Sequence, residues 1–314
     1  MPTISAIIPT YNSAGTIGRA LDSALAQTLP CHEIIVVDDC SKDDTVAVVE
    51  SYGLRHPAIR VMRQEKNQGP AAARNRAIRA ATSDWVAILD SDDAWRPGRN
   101  AALLDAAEKT GADIVFDNLI LHDPGVNRDI RPAYAEDFDC RAIDALDFWI
   151  NSRFGTFTYS TFKLNIRRDF MVDNNLFYPE MRYGEDMILY GALMSAGARA
   201  VKLGQGYYIY TTRQGDVSGA RNTASQSLPD FTAIADGIAG LRGVATDAAP
   251  EVRTAMAQSE QSFRTGDRLN RLRAAVRGGR YGEAIGLAAD YRVWRLYRQL
   301  KQRQREVAKL RYAA

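Results

Sequence analysis

Four short apolar runs in the first ninety residues, each followed by polar residues, constrain the fold of this chain most strongly. Segments between the runs carry apolar residues at helical spacing, so strand, loop and helix alternate at about the period of a βαβ unit. This alternation predicts an α/β fold with a mostly parallel, twisted sheet and helices on both faces. The predicted strands are Ile4–Ile8, Glu33–Val37, Ile59–Met62 and Trp85–Leu89.

The polar residues are expected along one edge of that sheet, where ligands of open α/β proteins bind. The most acidic strand exit is Asp90-Ser91-Asp92-Asp93. Adjacent carboxylates repel one another unless a cation or hydrogen-bond donors offset them, and Mg²⁺ or Mn²⁺ with a bound phosphate suits such oxygen ligands. The alternative is an acidic loop that caps the following helix. The chain has neither GxGxxG nor GxxxxGK[ST], so the usual dinucleotide and P-loop motifs give no support.

Five motifs in order resemble the inverting family 2 glycosyltransferases, and this resemblance implies a GT-A fold. It covers about two thirds of the chain, and the combination is more specific than any one motif. The motifs are Pro9-Thr10-Tyr11-Asn12, Val36-Val37-Asp38-Asp39-Cys40-Ser41, Asn67-Gln68-Gly69-Pro70-Ala71-Ala72-Ala73-Arg74-Asn75, Leu89-Asp90-Ser91-Asp92-Asp93 and Gly184-Glu185-Asp186.

The resemblance implies that the first motifs bind the nucleotide of the donor. Pro9 and Tyr11 would line the nucleotide, with Tyr11 stacking on its base. Asp39 would accept a hydrogen bond from the uracil N–H, and Asp90 would approach the ribose. Arg74 would lie near the nucleotide or its phosphates, which suits a planar, permanently charged fork. The alternatives are a turn residue for Asp39 and a solvated helix charge for Arg74.

The resemblance also implies a metal ligand and a general base. Asp92 would bind the Mn²⁺ or Mg²⁺ that bridges the diphosphate. Asp186 would take the proton of the acceptor hydroxyl, with Glu185 as the competing base and a helix cap as the alternative role for Asp186. Arg213 stands where many relatives have a histidine, and it would clamp the diphosphate or be a surface charge.

The middle of the chain gives weaker signals. Asp113–Leu121 is expected to continue the sheet, and residues 127–140 are expected to form an irregular loop over the active edge. Phe154–Phe162 mixes aromatic and hydroxyl side chains, which suits a sugar-binding wall or a buried core. Ser13 and Ser41 are predicted to cap the first two helices.

Charge predicts a separate C-terminal region. Residues 264–314 hold fourteen Lys/Arg against four Asp/Glu, a local net charge of +10, whereas the other 263 residues carry −8. We therefore expect a catalytic domain over residues 1–230, with a nucleotide-sugar half at 1–120 and an acceptor half at 121–230. Residues 231–314 would form a helical, basic extension.

Aromatic and leucine residues alternate with the basic residues near the C-terminus, on or beside one face of a predicted helix. This pattern predicts contact with an anionic membrane surface. The alternatives are packing on the catalytic domain and an oligomer contact. No nucleic-acid partner is expected, because no recognised RNA- or DNA-binding module accompanies the charge. The residues are Tyr291, Trp294, Leu296, Tyr297 and Leu300.

Together these features predict a metal-dependent hexosyltransferase that uses a UDP-sugar and a saccharide or lipid-linked acceptor in exopolysaccharide or other cell-surface polysaccharide biosynthesis. One alternative is a nucleotidyltransferase, although the sequence shows no triphosphate-binding loop after the first strand. The other is a non-catalytic nucleotide- or glycan-binding scaffold. Three cysteines without CxxC spacing fit a reducing compartment. With no signal peptide expected, we predict a cytoplasmic protein, or one peripheral at the inner membrane face.

Overall fold

The structure, a computed structural model, describes residues 2–155, 159–181, 183–212 and 230–312, with side chains as far as residue 302. Its strands are β1 (Ile4–Thr10), β2 (Glu33–Asp38), β3 (Ile59–Arg63), β4 (Trp85–Ile88), β5 (Ala94–Trp95), β6 (Ile114–Asp123), β7 (Arg128–Pro132), β8 (Cys140–Ile143), β9 (Asn165–Arg167) and β10 (Ala200–Thr211). Its helices are α1 (Ile17–Leu25), α2 (Thr45–Gly53), α3 (Pro70–Ala80), α4 (Arg99–Thr110), α5 (Ala145–Asn151), α6 (Arg168–Asp173), α7 (Glu185–Ser195), α8 (Phe231–Val244), α9 (Pro250–Arg277), α10 (Tyr281–Ala288) and α11 (Tyr291–Tyr312).

All of these strands belong to one sheet in the order β3-β2-β1-β4-β9-β6-β10-β5, with β7 on β6 and β8 on β10. The first half is parallel, because β1 pairs in parallel with both β2 and β4, and β2 with β3. β9 lies antiparallel between β4 and β6 and joins that half to the parallel pair β6 and β10. All residues of β1 and β4 are buried, as expected of strands covered on both faces.

Two local predictions are wrong. Part of the expected loop 127–140 is a strand, because the chain turns after β6 and returns beside it as the antiparallel β7. The N-cap residues of the first two helices are Thr16 and Asp44, each three residues after the predicted caps Ser13 and Ser41. The hydroxyls of Ser13 and Ser41 bond other loops instead: Ser13 Oγ meets Ser91 Oγ at 2.9 Å, and Ser41 Oγ accepts from the Asn12 N–H.

By its internal contacts the chain divides into two compact units. The first lies within Met1–Phe148 and Tyr159–Leu228, and the second within Trp149–Thr158 and Pro229–Ala314. The aromatic run at 154–162 contributes to the core of both. Phe162 is fully buried in the first unit, and Phe154 packs edge-to-face on Phe231 in the second, with 4.8 Å between the ring centroids. The core interpretation of these two aromatics is therefore favoured over a sugar-binding wall.

The second unit has a small apolar core of its own, formed by α9, α10 and α11. Part of the predicted apolar face of α11 packs on this core, and part of it stays exposed. Leu296, Tyr297 and Leu300 are half-buried against that core, whereas Tyr291 and Trp294 remain 73% and 46% exposed. Among the described residues, no helix combines the length and the apolarity needed to cross a membrane. The buried core residues are Leu269, Leu272, Ala275, Ala284, Leu287 and Val293.

Candidate active site

Parallel pairing brings the polar ends of three strands to one edge of the sheet. β1 has β2 on one side and β4 on the other, so the chain leaves all three strands at the same edge. Pro9, Tyr11, Asp39 and Asp90 therefore lie at neighbouring strand ends, as the sequence predicted. Pro9 is buried and Tyr11 is half-buried.

Asp39 fixes the beginning of α3. Its Oδ1 accepts from Gln64 Nε2 at 2.6 Å and from the Gln68 N–H at 2.7 Å, and its Oδ2 accepts from the Gly69 N–H at 2.7 Å. Gly69 has φ +90° and precedes Pro70, the first residue of the helix. Asp39 thus has a structural role beyond a turn, and its contact with a uracil base stays a prediction.

Arg74, on α3, reaches the acidic exit of β4. It is only 4% exposed, so the solvated-charge alternative is wrong. Its Nη2 donates to Asp90 Oδ1 at 2.9 Å, and Lys163 Nζ lies 3.0 Å from Asp90 Oδ2. Burial alone would raise the pKa of Asp90, but the charges of Lys163 and Arg74 outweigh burial and hold that pKa well below its usual range.

The other two acids of this exit have different environments. Asp93 is buried and accepts from the Tyr208 hydroxyl at 2.8 Å and the Thr211 N–H at 2.7 Å. Burial, followed by the charges of Asp92 and Asp90, raises the pKa of Asp93 far above its ordinary value. Asp92 is exposed, and its backbone carbonyl accepts from Thr211 Oγ1 at 2.5 Å. Asp92 is therefore the most exposed carboxylate of this exit.

The predicted acceptor-side acids occupy the first turn of α7, where the helix dipole favours anions. The N-cap is Gly184, so Asp186 is not the cap. Arg74 Nη1 contacts Glu185 Oε1 at 2.8 Å and Asp186 Oδ1 at 3.3 Å, and Lys163 Nζ contacts Asp186 Oδ2 at 3.0 Å. Burial, followed by the charge of Asp186, raises the pKa of Glu185. The donor-side and acceptor-side acids thus share two buried cations.

Comparison with known proteins identifies the family. Residues 5–170 match the family model described as glycosyl transferase family 2. The chain belongs to this family.

This family 2 member is similar to two succinoglycan biosynthesis proteins of Rhizobium meliloti (strain 1021). It is 35% identical to ExoO over 223 residues and 34% identical to ExoU over 229 residues, in each case over 69% of this chain. The matches span 63% and 64% of those relatives, which is just under two thirds of their length. The structure of S. aureus TarS 1-349 in complex with UDP-GlcNAc has a TM-score of 0.64 and 23% identity, covering 84% of this chain and 72% of that chain. The predicted GT-A fold is confirmed.

Sequence reasoning missed Lys163 and the support beneath it. Lys163 precedes β9, and its backbone carbonyl accepts from Arg99 Nη2 at 2.8 Å. Arg99 is fully buried and pairs with Asp117 at 2.9 Å. The available signal was a lysine within Phe162-Lys163-Leu164-Asn165-Ile166, where apolar and polar residues alternate as in a strand. Arg213, the predicted diphosphate clamp, lies outside the described residues.

Proposed function

We propose that this chain is an inverting glycosyltransferase that moves a sugar from a UDP-sugar to a saccharide or lipid-linked oligosaccharide in cell-surface polysaccharide biosynthesis. The observation that carries the proposal is the bridge made by Arg74. Its guanidinium joins Asp90, at the donor edge of the sheet, to Glu185 and Asp186 at the start of α7. Donor and acceptor chemistry can therefore meet within the span of one side chain.

Two similarities support the donor and the pathway. The TarS structure contains UDP-GlcNAc, and the R. meliloti relatives are succinoglycan biosynthesis proteins. Asp39 and Tyr11 lie at the strand ends where the resemblance expects a uracil base. A UDP-sugar is accordingly the donor class that we expect.

Asp186 is the proposed general base. Deprotonated, it would take the proton of the acceptor hydroxyl as that oxygen attacks the anomeric carbon from the face opposite the nucleotide. One displacement inverts the anomeric centre, so the reaction needs no covalent intermediate on the protein. Glu185 is less suited to this role because its side chain is more deeply buried than that of Asp186, 10% against 15% exposed, and is bonded to Arg74 at 2.8 Å.

The residues present fit a divalent cation that arrives with the diphosphate. Among the described residues no group of three or more His, Cys, Asp or Glu is arranged to hold a metal by itself. Mg²⁺ characteristically uses one or two carboxylates and completes its shell with phosphate oxygens and water. Asp92 offers an exposed carboxylate on a fixed backbone and would hold Mn²⁺ or Mg²⁺. When bound, the cation would neutralise charge on the departing diphosphate.

A donor panel tests this function. UDP-, GDP- and dTDP-sugars are incubated with the full chain in Mn²⁺, in Mg²⁺ and in EDTA, and nucleotide release is measured. We expect release of UDP in the presence of metal and strong loss of release in EDTA. Binding of UDP with neither cleavage of a nucleotide sugar nor transfer to a polysaccharide fragment would favour the scaffold alternative instead. Full activity in EDTA would contradict the proposed metal requirement.

We further propose that the second unit contacts an anionic membrane surface, where lipid-linked acceptors are found. Tyr291 and Trp294 are exposed, as are Arg295, Arg298 and Lys301 on the same helix. Exposed aromatic side chains beside basic ones suit the interface between headgroups and acyl chains. Basic residues there contribute about 1 kcal/mol each toward anionic lipid.

A further inference from the structure

Four charged side chains form a closed ring at the centre of the proposed site. Arg74 contacts one oxygen each of Asp90 and Asp186, and Lys163 contacts the other oxygen of each, at 3.0 Å in both cases. Each carboxylate therefore has one oxygen on each cation. The orientation of Asp186 is fixed from two sides.

Lys163 enters this ring from a rigid support. It is 6% exposed, and its backbone carbonyl is held by Arg99, which also bonds Asp117 and Asn165 Oδ1. A buried ammonium is costly unless its partners are well placed. Burial alone would lower the pKa of Lys163, but the charges of Asp186 and Asp90 raise it far above its ordinary value. Lys163 thus remains a cation throughout the pH range of an assay.

We propose that Lys163 is a positioning residue for the transfer reaction: by holding Oδ2 of Asp186 at 3.0 Å while Arg74 holds Oδ1, it orients this carboxylate toward the acceptor. The inference rests on the proposed function, with Asp186 as the base.

Arg74 alone cannot fix the orientation of Asp186. Without Lys163, three carboxylates, those of Asp90, Glu185 and Asp186, would share one guanidinium. Arg74 reaches only Oδ1 of Asp186, so Oδ2 would lose the contact with Lys163 that fixes its direction. The titratable or charged groups that face Asp186 are Arg74, Asp90, Lys163, Tyr178, Glu185 and Tyr190.

The test compares three substitutions at this position with one at a second buried lysine. Lys163→Met and Lys163→Gln remove the charge, and Lys163→Arg keeps it. Lys202→Met is the matched control, because Lys202 is also buried but pairs with Glu136. For each full-length variant we would measure hydrolysis of the active donor from pH 5 to 8, binding of UDP by calorimetry, and the melting temperature.

We expect turnover in Lys163→Met and Lys163→Gln to fall by up to about 10²-fold at every pH measured, the scale for a misplaced catalytic group, while KM for the donor stays nearly unchanged. UDP affinity should change by less than about threefold. Lys163→Arg, which keeps the charge, should retain more turnover than either uncharged variant, and Lys202→Met should lower the melting temperature without this loss of turnover.

Three results would overturn the proposal. The first is unchanged turnover in a folded Met or Gln variant. The second is a loss confined to UDP binding. The third is failure of both uncharged variants to fold while Lys202→Met folds, since Lys163 would then be a purely structural partner. If the wild-type protein is active and any of these results is found, only the role of Lys163 is refuted and the proposed function stands. A wild-type protein that cleaves no nucleotide sugar refutes the proposed function, and the role of Lys163 falls with it.

Discussion

At the scale of single residues, the acidic exit of β4 shows how the same side chain acquires different roles. Asp90 is paired with two cations, Asp93 is buried on Tyr208 and Thr211, and Asp92 is exposed. The sequence indicated the cluster but not this division. The division depends on Lys163 and β10, which are more than seventy residues away along the chain and therefore invisible in the local pattern.

The metal role of Asp92 is tested by Asp92→Asn, which keeps the shape of the side chain and removes its charge. We expect activity close to background and weaker UDP binding in Mn²⁺, because the diphosphate would lose its charge-neutralising partner. Asp93→Asn is the control. Because Asp93 is buried and its two oxygens accept hydrogen bonds from Tyr208 and Thr211, a change there should leave the response to metal intact. Equal metal stimulation of wild type and Asp92→Asn would contradict the assignment.

The general base is tested by Asp186→Asn. Turnover should fall by roughly 10²–10⁴, the range for losing a positioned base, while UDP affinity stays nearly unchanged. Glu185→Gln should be milder, since Glu185 is the more deeply buried of the two acids and is bonded to Arg74. If Glu185→Gln is the inactive variant and Asp186→Asn retains turnover, the two roles are exchanged. A loss of UDP binding in Asp186→Asn would mean that Asp186 serves the donor.

At the scale of secondary structure, the strands were the most predictable elements. The four predicted runs in the first half match β1 to β4 within two residues at each end. For β1, β2 and β4 the reason is burial on both faces, which requires continuous apolar runs, whereas β3 is a partly exposed edge strand. Helix starts were less predictable. A serine hydroxyl can cap a helix or bond another loop, and the competing partners of Ser13 and Ser41 come from distant segments.

The start of α3 offers a prediction at this scale. Gly69 has φ +90° and ψ 167°, a region that is essentially restricted to glycine. Gly69→Ala should therefore lower the free energy of unfolding by about 1–3 kcal/mol and weaken UDP binding, because the Asp39 contact and the placement of Arg74 depend on this turn. Urea unfolding and calorimetry measure both effects.

Gly15→Ala is the matched control for that substitution. Gly15 lies in an early turn, and an added Cβ would meet no atom within 4 Å. We expect little change in stability or in UDP binding. Equal losses in both variants would show that the conformation of Gly69 is not the cause.

At the scale of the whole molecule, the sequence predicted a basic helical C-terminal region, but not its internal organisation. Charge and composition show where the basic residues begin. They cannot show that residues 149–155 join the second unit, nor that α9 continues to Arg277 and contributes Leu269, Leu272 and Ala275 to a core. A truncation near residue 263 would cut this helix and remove all of the buried residues of that core. The membrane proposal therefore needs substitutions in the full chain.

Two pairs of substitutions separate the apolar and electrostatic parts of membrane binding, measured by co-sedimentation with phosphatidylglycerol vesicles at increasing salt. Arg295→Ser with Arg298→Ser should weaken binding by roughly 30-fold, at about 1 kcal/mol per charge, and reduce its salt dependence. Tyr291→Ala with Trp294→Ala should weaken binding at every salt concentration and leave the salt dependence nearly unchanged, because these rings contribute apolar burial. Both pairs lie on exposed positions, so the fold should persist.

Leu54→Ala, an exposed apolar residue of the first unit, is the control and should bind vesicles as the wild type does. The wild-type chain could fail to bind vesicles but form a dimer. If the double variant Tyr291→Ala with Trp294→Ala is then monomeric, the exposed rings form an oligomer contact. Binding that none of these pairs alters would place the membrane contact elsewhere on the chain. Only the combination of salt-sensitive charge and salt-insensitive aromatic contributions identifies this surface of α11 as the part that meets lipid.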